Sequence, residues 1–112
     1  MSGCSVCDLV MSYFQRRGYK IEKDVILDGF SGLPRKFDLS VRKGNEQRLV
    51  WIREWKRTVG VNMIINIDKA AADVGFPNPI VISEKFSGHA KAYANRRGVT
   101  LIQKGTITRE LG

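Results

Sequence analysis

Asp38, Glu54 and Lys56 are the residues of this chain whose types and spacing suit chemistry. Asp38 lies in the run Phe37-Asp38-Leu39-Ser40-Val41, and the other two end the run Leu49-Val50-Trp51-Ile52-Arg53-Glu54-Trp55-Lys56. Both runs read as strands, so three charges are planted in apolar β-structure, where a charge is costly unless it is paired or binds a metal. Two carboxylates a few ångströms apart do not both ionise comfortably without a cation. Mg²⁺ resolves this, because it takes hard oxygen ligands, keeps several waters and is commonly held by one or two carboxylates plus a substrate phosphate. Asp38 and Glu54 are the expected carboxylate ligands, with Mn²⁺ able to substitute. The backbone carbonyl of Trp55, between Glu54 and Lys56, is the expected third ligand. Such an ion neutralises phosphate charge and lowers the pKa of a bound water, and Lys56 would orient or deprotonate that water. The chemistry expected is metal-dependent phosphodiester hydrolysis. The plainer alternative is a surface salt bridge at a sheet end, which contributes little.

The bulk properties agree with a polyanionic partner. A formal net charge of +8 is large for 112 residues, and the basic residues cluster as Arg16-Arg17, Arg35-Lys36, Arg42-Lys43, Lys56-Arg57 and Arg96-Arg97. The length suits a single domain over residues 1–112, and 43% hydrophobic with 27% charged residues is ordinary for a globular chain. No run of apolar residues is long enough to span a membrane, and the amino terminus lacks the basic and apolar regions of a signal peptide. A cytoplasmic protein is expected, with no membrane partner and no small-molecule cofactor. Cys4 and Cys7 are the only cysteines. A structural zinc needs about four ligands, so two reduced thiols on a first helix are expected.

The elements that must position the three charges follow in order. Val6, Leu9, Val10, Tyr13 and Phe14 form a stripe of helical period from about Cys4 to Arg17, closed by Gly18. Tyr19 to Leu27 alternates as a strand with one solvated face, and Asp28 to Pro34 is loop. Lys36 to Val41 and Leu49 to Lys56 are strands joined closely enough to make an antiparallel hairpin. A turn centred on Asn45 or Glu46 would set Asp38 across from Ile52 or Glu54. Asp38, Glu54 and Lys56 then share one face, and a turn one residue longer or shorter would part them. Thr58 to Val74 reads as a second helix and Pro79 to Ser83 as a strand covered on both faces. Ser87 caps a third helix ending at Arg96-Arg97-Gly98, Val99 to Ile102 is a buried strand, and the tail from Lys104 carries no signal. This is an α/β order, α-β-β-β-α-β-α-β, expected to give a mixed sheet with helices on both faces.

Taken as an ordered set, these residues resemble a family. Gly18-Tyr19, the Ser31-Gly32 loop, Phe37-Asp38-Leu39, Val50-Trp51-Ile52-Arg53-Glu54-Trp55-Lys56-Arg57, Val59-Gly60-Val61, Ile80-Val81-Ile82-Ser83, Phe86-Ser87 and Gly98-Val99-Thr100-Leu101-Ile102 are similar to the PD-(D/E)XK nucleases. The nearest branch is the Mrr-like and archaeal Holliday-junction-resolvase-like one. The resemblance implies a restriction-endonuclease-like αβββαβ core with one additional βα/β extension, and DNA as the partner. It matches Asp38, Glu54 and Lys56 to the catalytic set, adds Asp8 as an acid from the first helix, and likens Ser31 to a loop serine of resolvases. The sequence departs from the family at three points. Asp8 is shorter than the usual glutamate, Trp55 replaces a small residue, and Gly32-Leu33-Pro34-Arg35-Lys36-Phe37-Asp38 differs from the Mrr-type Gly-Asp-Gly-Gly-Ile-Asp.

Around this set, Ser31, Arg35, Lys36 and Arg57 are the expected contacts to nucleic acid, with solvated charge as the plain alternative for Arg35 and Lys36. His89 is expected on the surface, and Trp51 and Trp55 in core or interface packing rather than base stacking. Arg53 is expected on the face away from the site, with Trp51. The leading reading is a Mg²⁺-dependent DNA endonuclease, junction- or flap-directed or of restriction or repair type, acting as a homodimer. The alternative is a non-catalytic nucleic-acid-binding module on a nuclease fold. An RNA-directed splicing-type endonuclease would require a better placed histidine than His89.

Overall fold

The structure is a computed structural model that describes residues 5–53 and 58–111, with side chains from Cys7 onward. Helix α1 (Ser5–Arg16) is followed by strands β1 (Lys20–Asp28), β2 (Pro34–Lys43), β3 (Glu46–Ile52) and β4 (Thr58–Val59). Then come α2 (Val61–Asp73), β5 (Ile80–Ser83), β6 (Lys85–Phe86), α3 (Gly88–Arg97), β7 (Thr100–Gln103) and α4 (Lys104–Leu111). Five strands make one sheet in the order β1-β2-β3-β5-β7. The first three are antiparallel neighbours, whereas β3, β5 and β7 run parallel. Helices cover both faces, as the element order leads one to expect.

The alternation of side chains divides the core. Leu49, Trp51 and Val81 face α2 and α3, where they meet Ile64, Ile67, Ala71, Ala90 and Ala94. Val50, Ile52, Ile80 and Ile82 face the other way, onto Val10 and Phe14 of α1 and Ile107 of α4. A central parallel strand buried on both faces has no polar positions to spare, which is why β5 reads Ile-Val-Ile. The helix ends follow their caps: Ser87 Oγ accepts the amide of Ala90 at 3.0 Å, and Gly98 closes α3 at φ 75. Asp68, only 7% exposed, clamps α2 to α3 by accepting from Tyr93 Oη at 2.8 Å and Arg97 Nε at 3.0 Å.

Three elements differ from the expectation. Thr58–Val59 is a short strand paired in parallel with Lys85–Phe86, so α2 begins at Val61. The tail forms α4, anchored by fully buried Ile107 and by the Arg17–Glu110 ion pair to α1. One apolar turn is too short to announce a helix in sequence, and α4 depends on α1 to cover it. Cys7 is disulfide-bonded, which corrects the reading of reduced thiols, and Cys4 lies outside the described residues. No described helix is long and apolar enough to cross a membrane.

The feature that positions the site is a twist in the β1–β2 ribbon. Ile21 and Leu39 pack on the α1/α4 side, yet Val25, Leu27 and Phe37 pack on the α2/α3 side. Odd-numbered residues of one strand ordinarily share a face, so both strands turn over between these points. The ladder marks the place: it runs Lys23↔Leu39 and resumes at Val25↔Phe37, omitting Asp24 and Asp38. Asp24 sits there at φ 51, a left-handed value uncommon for a non-glycine residue, while the register on either side of it is unchanged.

Candidate active site

Asp38 stands where β2 both twists and leaves β3. The last pair of the β2–β3 ladder is Leu39↔Val50. Beyond it the Asp38 side chain takes over from the backbone, its Oδ2 accepting the Ile52 amide at 2.7 Å. The turn between the strands has two residues, Gly44 and Asn45, with Lys43↔Glu46 closing it. Gly44 adopts φ 61, as the first position of a type II′ turn demands. This corrects the expected odd-length turn, since a regular continuation of the register would set Asp38 opposite Trp51. The twist supplies what the turn does not: Phe37, not Asp38, meets Trp51, ring edge to face at 4.5 Å, and the carboxylate reaches Ile52.

Arg53 is the neighbour that sequence reasoning put in the wrong place. Its amide donates to the Ile82 carbonyl at 2.8 Å, extending the β3–β5 ladder by one residue. Its guanidinium turns toward the site, with Nη1 3.8 Å from Asp38 Oδ2 and donating to the Ile52 carbonyl at 3.4 Å. Alternation from Trp51 failed here because Arg53 lies past the regular strand, where the pleat no longer fixes side-chain direction. The Asp38 side chain keeps 37% of its surface exposed, and its Oδ1 accepts no hydrogen bond among the described residues. An open, hard, anionic oxygen is the donor a divalent cation takes, so Asp38 fits that role. Glu54, Trp55, Lys56 and Arg57 lie outside the described residues, and among the described residues no three His, Cys, Asp or Glu side chains cluster as metal ligands. Asp8 is exposed in the first turn of α1.

Ser31 and Arg35 are held by a residue that the sequence did not single out. Asp73, the last residue of α2, accepts from the Ser31 amide at 2.9 Å, the Ser31 hydroxyl at 2.7 Å and Arg35 Nε at 3.0 Å. The Phe30 amide donates to the Asp73 carbonyl at 2.8 Å. The loop before β2 is thereby pinned to α2, which sets the start of the strand that carries Asp38. Nothing local marks this role, because the bonds cross from one loop to a helix end far along the chain. Lys36 is exposed, paired across from Ile26. His89 is exposed and Trp51 is buried, both as expected.

The Ser31 hydroxyl and amide, then Arg35, hold the Asp73 carboxyl below its ordinary value of 3.8. A depressed folded-state pKa gives stability that is present above the unfolded value and is lost as pH falls through the folded one. The wild type should therefore melt above Asp73→Asn at neutral pH. That gap should narrow as the pH is lowered below about 4. Thermal melts of both proteins across the acid range measure it, and a gap independent of pH would show that the Asp73 charge is not what holds the loop.

A family profile described as restriction endonuclease, Mrr_cat, matches residues 1–111. The chain belongs to that family. It is a PD-(D/E)XK-type nuclease domain, and the mixed sheet with helices on both faces is the restriction-endonuclease-like fold. No curated protein matches the chain. Among solved structures, a protein of unknown function, AF1548, is similar with a TM-score of 0.80 at 19% identity, over 87% of this chain and 55% of its own. Protein VC1899 from Vibrio cholerae is similar at 0.68 and 12% identity, over 93% of this chain and 30% of its own. EndoMS, in a complex with double-stranded DNA, is similar at 0.51 and 10% identity, over 92% of this chain and 45% of its own. The chain thus spans about half or less of the length of each of these proteins, and they share its fold.

Proposed function

We propose that this restriction-endonuclease-family domain is a metal-dependent endonuclease that hydrolyses DNA phosphodiester bonds, with Asp38, Glu54 and Lys56 as its catalytic set. The observation that supports it is Asp38 itself. Its carboxylate is fixed to the backbone of β3 at Ile52, two residues ahead of Glu54 in sequence, and one oxygen is open among the described residues. Asp38, Glu54 and the Trp55 carbonyl, with Asp8 as a further candidate, would hold Mg²⁺ or Mn²⁺. The ion when bound supplies charge neutralisation at the phosphate and a more acidic water. Lys56 would orient the attacking water and stabilise the negative charge that builds on the phosphate oxygens. Ser31, Lys36 and Arg57 contact the DNA backbone, and Arg35 does so while tied to Asp73. On this reading the domain acts as a homodimer, on junction or flap DNA or on restriction- or repair-type sites.

One observation favours a second reading, a nucleic-acid-binding module without catalysis. Arg53 already sets a positive charge 3.8 Å from Asp38 Oδ2, where it offsets the carboxylate. Plasmid, linear and four-way-junction DNA incubated with Mg²⁺ or Mn²⁺, and again with chelator, separate the two. Metal-dependent cleavage of at least one substrate is expected. Tight binding with no cleavage of any substrate in either metal would establish the binding module instead.

A further inference from the structure

Several of the described arginines hold the fold together. Arg17 pairs with Glu110, Arg35 with Asp73, Arg97 with Asp68, and Arg48 donates to the Asn78 carbonyl at 2.7 Å. At the Lys20/Arg42 end of the β1–β2 ribbon, four residues along β2 from Asp38, three described cations carry no such ion pair. Lys20 and Arg42 are exposed and directly opposite each other across the antiparallel pair, and Lys43 is the next residue. None of the three forms an ion pair among the described residues. Like charges at opposed positions of adjacent strands are destabilising, so the fold carries a cost here that an anion between them would remove.

The surroundings are concave, and no acid lines the cleft itself. A cleft of about 420 Å³ is lined by Gly18, Lys20, Arg42, Lys43 and Gly44. Lys43 is pre-placed: its Nζ lies 5.5 Å from the centre of the Tyr19 ring, and its Cε would come within 3.7 Å of a Cβ at Gly18. The nearest acids in the register are Glu46, opposite Lys43, and Glu22, opposite Ser40. Glu46 accepts from the Tyr19 hydroxyl at 3.5 Å, and Glu22 makes no ion pair among the described residues. Two ammonium groups and a guanidinium around an open cleft suit a phosphate group, which the guanidinium can meet with two parallel hydrogen bonds.

We propose that Lys20, Arg42 and Lys43 form a phosphate-binding cleft, separate from the Asp38 site. Its occupant is either a backbone phosphate of nucleic acid or a free phosphate group. The test compares the wild type, the double variant Lys20→Gln/Arg42→Gln and Lys43→Gln, with Asp38→Asn as control. Thermal melts are run in inorganic phosphate and in chloride at matched ionic strength. Because phosphate stabilises any folded protein by exclusion from its surface, the signal is the excess: the wild-type and Asp38→Asn midpoints are expected to rise over chloride by roughly 3 °C or more beyond the rise of the double variant, with Lys43→Gln in between. In dilute chloride the double variant should melt no lower than the wild type, because the opposed charges are gone. Absence of a phosphate-specific rise in the wild type, or an equal rise in the variants, overturns the proposal. The source is then read from duplex affinity against salt. A slope reduced by about two in the double variant assigns the cleft to nucleic-acid backbone. An unchanged slope assigns it to a free phosphate group. Since Asp38→Asn should retain the phosphate response, failure of the nuclease reading and failure of this one are distinguishable.

Discussion

Asp38→Asn is expected to fold as the wild type does, to bind DNA, and to lose cleavage by on the order of 10³-fold, about 4 kcal/mol of barrier. The amide keeps an oxygen that can accept the Ile52 amide, now held at 2.7 Å by Oδ2. It removes the negative charge that makes the side chain a ligand for a divalent cation. Asp38→Ala removes both. It leaves the Ile52 amide without its acceptor at the point where β2 has parted from β3, at a cost of about 1–2 kcal/mol. The alanine variant should therefore melt several degrees lower, while the asparagine variant melts within about a degree of the wild type. Cleavage rates, duplex affinities and thermal midpoints of the three proteins give the comparison. Wild-type cleavage by Asp38→Asn would remove Asp38 from the catalytic set, whatever the melts show.

The largest expected stability effect lies at Gly29, a position without chemistry of its own. A Cβ there would lie 1.9 Å from Asp73 Oδ2 and 2.5 Å from its Cγ. Real atoms cannot approach so closely, so the Asp73 carboxylate must move. It is not a loose chain end, because it holds the Ser31 amide, the Ser31 hydroxyl and Arg35 at once. Two hydrogen bonds and a partly exposed ion pair are therefore disturbed together. Gly29→Ala should lower the melting midpoint by about 10 °C for a domain of this size. Because β2 starts from this loop, cleavage should fall as well. The double variant Gly29→Ala/Asp73→Ala isolates the cause, since contacting residues are not additive. With Asp73 already shortened, the added methyl should cost little more. An undiminished cost in that background would mean that the clash with Asp73 is not the reason.

Much of the architecture is written locally. The helical stripe of α1, the Ile-Val-Ile run of β5, the Ser87 cap and the left-handed glycine after α3 each depend on a few neighbouring residues. Each appears where its pattern placed it. The element order then leaves few topologies, and the mixed sheet between helix pairs is the one adopted. Asp38 was legible for the same reason: a carboxylate in an apolar strand is conspicuous wherever the strand goes.

Its surroundings were not. Alternation along a strand gives a side chain's face only while the strand stays regular, and β1 and β2 turn over together at Asp24 and Asp38. That twist belongs to the pair, because it is visible only in which core each residue of the two strands enters. The same is true of Arg53, which leaves the Trp51 face once the ladder ends, and of Asp73, whose three bonds reach back to Ser31 and Arg35. By itself the sequence determined the strands of the main sheet, the three helices α1 to α3, their order and the acid that stands out among them, but not β4, β6 or α4. The tertiary structure decided where that acid points and what holds it, because direction at the end of a strand is set by the neighbours it pairs with rather than by its own periodicity.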